Sequence, residues 1–147
     1  MRDLVIHVPN EPGSLAKVTA AVSDAGVNLS AATFVASGDI ADLHILVKHA
    51  EATRRVLEPE GVTVGEEREV VVVDCEDRPG VLADLAHRVA QAGVNITMLY
   101  VATENRVVFG ADDIDGLRAA LHVHPDVTSD QLWDADDEVE VSTGNLL

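Results

Sequence analysis

Pro12-Gly13-Ser14-Leu15-Ala16, followed by Gly26-Val27-Asn28, returns 67 residues later as Pro79-Gly80-Val81-Leu82-Ala83, followed by Gly93-Val94-Asn95. Nine of the 17 positions from Pro12 to Asn28 are identical in the second copy. Self-similarity at a fixed period marks a tandem duplication and fixes where each unit begins. The repeated positions include a Pro-Gly turn before a helix and a polar Asn before a strand. Packing alone does not require that Asn.

Working outward, Leu4-Val5-Ile6-His7-Val8 is rich in β-formers and reads as a strand. Pro9-Asn10-Glu11-Pro12-Gly13 is a turn by composition. Leu15, Val18, Val22 and Ala25 fall at offsets 0, 3, 7 and 10, one stripe of a helix. Gly26 stands where the residue after a helix takes a positive φ. A strand is expected from Val27 to about Val35, a hairpin turn at Ser37-Gly38-Asp39, and a third strand from Ala41 to Lys48. Ala50 to Leu57 reads as a short helix ended by Pro59 and Gly61. Val62-Thr63-Val64 starts a fourth strand. The order is βαββαβ.

The second copy follows the same plan. Strands are expected at Glu69–Cys75, Val94–Ala102 and Arg106–Gly110, with helices at Val81–Ala92 and Asp113–Leu121. Val70-Val71-Val72-Val73 is uninterrupted, as in a strand buried on both faces. A fourth strand is not evident; only Val127-Thr128 is strand-like. No linker separates the copies, so one long strand could serve both. The expected division is residues 1–67, residues 68–128 with a trimmed fourth strand, and an acidic tail at 129–147.

The sequence has 147 residues and is 47% apolar but only 3% aromatic, so its core is aliphatic. A net charge of −16 argues against nucleic acid and against an anionic membrane surface, since binding to either rests on clustered Lys and Arg. Only Lys17 and Lys48 among the ten basic residues are lysines. Such a surface suits a high-salt interior, or simply reflects a GC-rich genome and selection for solubility. No apolar run approaches the ~20 residues of a membrane helix. The N-terminus lacks a signal-peptide layout, so the cytoplasm is the expected compartment. One cysteine, Cys75, leaves no internal disulfide.

The pattern of strand, Asn/Asp-x-Pro-Gly-x-Leu-Ala, amphipathic helix and Gly-Val-Asn resembles the ACT domain, here as a stand-alone tandem pair. The resemblance implies a ferredoxin-like α+β fold with antiparallel sheets and helices on one face. It also implies two units merged side by side into one extended sheet. The family is regulatory and binds amino acids at the seam between units, between the turn of one and the second strand of the other. It implies a homodimer, or a metabolic enzyme as partner, with no cofactor. No catalytic domain is legible beside the two units.

The residues themselves suggest how such a site would work. A helix N-terminus presents unpaired N–H groups and the positive end of its dipole, a seat for a carboxylate. Gly13 and Gly80 let a ligand approach the backbone, and the N–H groups of Ser14, Leu15, Val81 and Leu82 are the expected donors. Asn28 and Asn95 can engage an ammonium and a carboxylate. By resemblance to the serine-inhibited phosphoglycerate dehydrogenases, Asn10 and Asn28 match effector-contacting positions, with Asp77 and Asn95 their equivalents. Asn10 and Asp77 could instead cap the following helix, and Asn28 and Asn95 could form Asx turns. His122-x-His124 lacks a third metal ligand, and Asp134 to Glu138 lacks calcium-loop spacing. Carboxylates beside Cys75 disfavour a thiolate nucleophile. The alternative to an amino-acid sensor is a protein-interaction module that uses its sheet edges and needs no small ligand.

Overall fold

A computed structural model describes residues 1–122. Val127-Thr128, His124 and the acidic segment beyond lie outside the described residues. Unit one runs β1 (Arg2–Pro9), α1 (Ser14–Asp24), β2 (Ala31–Ser37), β3 (Ile40–Val47), α2 (Ala50–Leu57), a 3₁₀ turn (Glu58–Glu60) and β4 (Glu66–Glu69). Unit two runs β5 (Val71–Asp74), α3 (Val81–Gln91), β6 (Ile96–Ala102), β7 (Arg106–Ala111) and α4 (Ile114–Leu121). The duplicated βαββα order is therefore present, with all strand pairs antiparallel.

Each Gly-Val-Asn element ends a helix in a Schellman motif. Gly26 takes φ 71° and donates to Ser23, while Val27 N–H reaches back to Val22 O at 3.1 Å. Gly93 and Val94 repeat this in unit two, with Val94 N–H to Val89 O at 3.2 Å. These bonds satisfy carbonyls that the helix end would otherwise orphan. The chain then runs irregularly before pairing, so β2 begins at Ala31 rather than Val27. Val27 and Leu29 instead pack against the helix-side core. The β6–β7 hairpin pairs Ala102 with Arg106 across the three-residue loop Thr103-Glu104-Asn105, in which Glu104 and Asn105 both take positive φ (59° and 55°).

The fourth strand of unit one is displaced from its expected place. Val62 and Val64 pack into the unit-one core without pairing, and the strand is Glu66–Glu69. Gly65 sits hard against the His7 ring and donates its N–H to Val5 O at 2.8 Å, which leads the chain onto the edge of β1. All four β4 residues are exposed. A charged edge discourages pairing with another chain. Arg2 and Arg54 neutralise Glu67 at 3.5 and 3.2 Å, and Arg118 from unit two reaches Glu69.

The largest difference from expectation is in how the sheets meet. They do not merge side by side; the described strands form one sheet ordered β2-β3-β1-β4 and another ordered β5-β7-β6. Val70 alone separates β4 from β5. Alternate residues explain the arrangement. Leu4, Ile6, Leu43 and Ile45 face α1 and α2, packing on Val18, Val22 and Leu57. Val71, Val107 and Phe109 face α3 and α4, packing on Leu85, Val89, Leu117 and Leu121. The opposite faces carry Leu46 and Ala31 from one sheet and Tyr100, Ala102 and Val108 from the other, joined with Val70 in a third cluster. Each sheet thus has a second apolar face, and stacking the sheets buries both. The order is helices, sheet, sheet, helices.

This places decisive packing at Leu46, which is fully buried between the sheets. Leu46→Ala is expected to lower the unfolding free energy by about 2–5 kcal/mol. Val101→Ala, at a side chain 65% exposed, should cost less than about 0.5 kcal/mol. Urea unfolding followed by circular dichroism measures both.

Candidate functional site

The unit-one turn is built by β1 meeting the β2–β3 hairpin. Asn10 N–H donates to Asp39 O at 2.9 Å, and Asn10 Nδ2 donates to Gly38 O at 2.8 Å. Asn10 therefore braces the hairpin and does not cap α1. The residue before the helix is Gly13, at φ 94°, and no side chain caps the helix there. Ser14 N–H, expected as a ligand donor, is taken by Glu11 O at 3.2 Å. Lys17 stands in the first turn, which carries no acidic residue.

The unit-two turn has the same backbone and different charges. Gly80 takes φ 92°, and again no side chain caps the helix. Cys75 N–H donates to Asn105 O at 2.9 Å, tying the turn to the β6–β7 hairpin as Asn10 ties its own. Asp77, exposed, matches Asn10; Arg78 matches Glu11; Asp84 matches Lys17. Arg78 spans the turn, with Nε 3.0 Å from Glu76 Oε2 and Nη2 3.2 Å from Asp84 Oδ2. Those two hydrogen bonds, Glu76 first, hold the guanidinium proton more tightly. Lys17, Arg78 and Asp84 were not singled out in the sequence, although aligning the copies at the 67-residue offset exposes the charge reversal.

The apolar stripes turn out rotated. Leu15, expected to face the core, is 40% exposed, and Leu82, at the matching position of the second copy, is 42% exposed. Val18 and Val22 carry the contact in α1, and Leu85 and Val89 in α3. Each helix N-terminus thus presents an exposed leucine beside its glycine turn.

Asn28 and Asn95 are exposed, two residues beyond Gly26 and Gly93. They lie past the far end of their helices. An 11-residue helix is about 16 Å long, too far for one small ligand to touch turn and Asn of the same unit. No hydrogen bond joins either Asn to a turn among the described residues. One corner does bring elements of different units together. Thr103 N–H and Oγ1 both donate to Ser30 O, at 3.3 and 3.1 Å. The loop bearing Asn28 therefore meets the unit-two hairpin that flanks the Asp77–Leu82 turn. Among the described residues no comparable contact joins Asn95 to the unit-one turn.

Other chemistry is sparse. No group of His, Cys, Asp and Glu able to hold a metal occurs among the described residues. No described helix is long and apolar enough to cross a membrane. Burial, and then the Asp74 carboxylate, push the Cys75 thiol up, so it is a poor thiolate at neutral pH.

Comparison with known proteins agrees with the duplicated fold. No curated protein matches the chain in sequence. Among solved structures it is similar to protein BT0572 from Bacteroides thetaiotaomicron, with 27% identity and a TM-score of 0.72 over 82% of this chain and 85% of that one. It is also similar in fold to the regulatory subunit of aspartate kinase from Thermus thermophilus, at 24% identity and a TM-score of 0.58, over 82% of this chain and 89% of that one. The counterpart from Thermus flavus matches at 22% identity and a TM-score of 0.54, over the same 82% and 89%. The ACT domain model matches twice, over residues 2–58 and 70–122. With two matched segments that coincide with the two folded units, the chain belongs to the ACT domain family.

Proposed function

We propose that this chain is a non-catalytic, cytoplasmic regulatory module that binds a small amino acid between ACT units and passes the signal to a partner enzyme or within a homodimer. The carrying observation is the pair of helix N-termini, each opened by a glycine at positive φ and left without a side-chain cap. Such a terminus favours an α-carboxylate through its dipole and the N–H groups that remain, which in α1 exclude that of Ser14. A carboxamide supplies acceptor and donors for the remaining polar groups. Because turn and Asn sit at opposite ends of a helix, the binding site is composite. Asn28 with the Asp77–Leu82 turn is the candidate pairing within a chain. Asn10 to Leu15 with Asn95 requires a second copy. The charge reversal means the two sites differ in affinity or ligand: Lys17 favours an anionic group, whereas Asp77 and Asp84 favour an ammonium.

A second function is favoured by exposed apolar side chains on strand edges: Val35 beside Ile40 in one sheet, Leu99 and Val101 on the edge strand of the other. They suit a protein-interaction module that needs no small ligand.

A thermal-shift panel of the common amino acids separates the two. At 100-fold its Kd, a bound amino acid should add about 2.7 kcal/mol of stability, a shift of several degrees. Asn28→Ala should abolish the shift from the within-chain site, and Asn95→Ala that from a site between chains. No shift at millimolar concentration with any amino acid would remove the sensor function and leave the interaction module. A shift surviving both substitutions would refute the asparagines as contacts while leaving binding intact.

Oligomeric state gives an independent check. If the site needs a second copy, sedimentation should show a dimer that tightens when the effective amino acid is present.

A further inference from the structure

The packing between the two sheets is not purely apolar. Asp3, on the sheet-facing side of β1, is completely buried. Its Oδ1 accepts from Tyr100 Oη at 2.7 Å, a hydrogen bond that crosses from one sheet to the other. Its Oδ2 lies 2.8 Å from His44 Nδ1, on the neighbouring strand β3. The His44 and Tyr100 rings lie 6.5 Å apart, tilted by 50°. Around them stand Ala31, Leu46, Val70, Ala102 and Val108. Burial, and then the adjacent carboxylate, raise the Tyr100 hydroxyl far above its ordinary range, so it remains a donor.

A dry carboxylate among aliphatic side chains contributes little net adhesion, because desolvation offsets what its partners return. Its effect is on geometry. Aliphatic faces tolerate sliding and rotation, whereas a buried carboxylate is satisfied only where the phenol reaches it. The chain crosses between sheets through the single residue Val70, and polar ties at Ser30–Thr103 and Glu69–Arg118 also join the units. Asp3 pairs with Arg68 beside the Val70 crossing, whereas Tyr100 lies on β6, the strand farthest from β5 in its sheet, so their bond ties the crossing to the far edge of the second sheet.

We propose that Asp3, His44 and Tyr100 form a register latch. The contact is made or lost as a whole, holds the two ACT units in one relative arrangement, and makes a change in one unit felt in the other. This goes beyond ligand recognition and stands whether or not an amino acid binds.

Hydrogen–deuterium exchange on the full chain without ligand tests it, in wild type, Tyr100→Phe, Asp3→Asn and the double variant. Tyr100→Phe strips the cross-sheet donor from the carboxylate. The unfolding midpoint should fall, and exchange in β1, β3, β6 and β7 should accelerate at least about tenfold relative to α1 and α3. Asp3→Asn keeps an acceptor for Tyr100, so its interface should exchange as wild type. The double variant removes the buried charge but leaves a carboxamide without the phenol. Its midpoint should recover in part, while exchange between the sheets stays fast. Recovery of both in the double variant would reduce the trio to an ordinary stabilising hydrogen bond and overturn the proposal. So would uniform or absent acceleration in Tyr100→Phe, or an Asp3→Asn interface as fast as Tyr100→Phe.

Discussion

Burial of the second sheet face is the constraint from which the architecture follows. A sheet with helices on one side normally leaves its other side to solvent, and polar residues occupy it. Here those positions include Val5, Leu46, Val70 and Val108, all nearly or wholly buried. Aliphatic side chains on both faces leave a sheet only two options, more helices or another sheet. Duplication supplies the second sheet with the same need. Stacking the two satisfies each, at the cost of the extended side-by-side sheet that the resemblance implies. The short crossing at Val70 follows, since a strand that changes layers while remaining a strand has no room for a linker.

Much of this was legible in particular residues. The glycine–valine ends of both helices required no tertiary information, because a helix stop is local chemistry. The uninterrupted Val70–Val73 run correctly signalled a strand buried on two faces. What was illegible depends on distance in sequence. Asp3 and Tyr100 are 97 positions apart, and no periodicity links them. Leu15 and Leu82 fit the helical stripe as well as any residue, yet the packed face is turned by one position: Ser14 and Val81 are half-buried, Val81 against the unit-two core, and the leucines beside them are exposed. Val62 and Val64 look like a strand and Glu66–Glu69 does not. Pairing there is decided by the free edge of β1, and an edge facing water accepts charges that a central strand would reject.

The candidate site was legible in its parts and not in its assembly. Both glycine turns have the expected backbone, and neither helix has a side-chain cap. Asn10 shows why identity at a motif position does not fix a role: its side-chain amide donates to Gly38 O, so in this structure it holds the hairpin beside the turn. The separation of turn and Asn is a matter of helix length. Any sequence with these elements at the two ends of three helical turns puts them too far apart for one small molecule, and only association of units can close the gap.

The duplicated turns therefore cannot be treated as two copies of one site. Their backbones are nearly superimposable in dihedral angle, φ 94° at Gly13 and 92° at Gly80, so the scaffold was kept. The charges were exchanged: Glu11 and Lys17 in one copy, Arg78 and Asp84 in the other. In unit two the cation is held between Glu76 and Asp84, and under the proposed function a ligand carboxylate would compete with those side chains for it. In unit one Lys17 faces no acidic residue in its own helical turn. Exposed pairs of this kind contribute little to stability, so stability gives no reason for the exchange. Under the proposed function selectivity does, because specificity is a difference between affinities, and a reversed charge beside an unchanged helix N-terminus changes that difference directly.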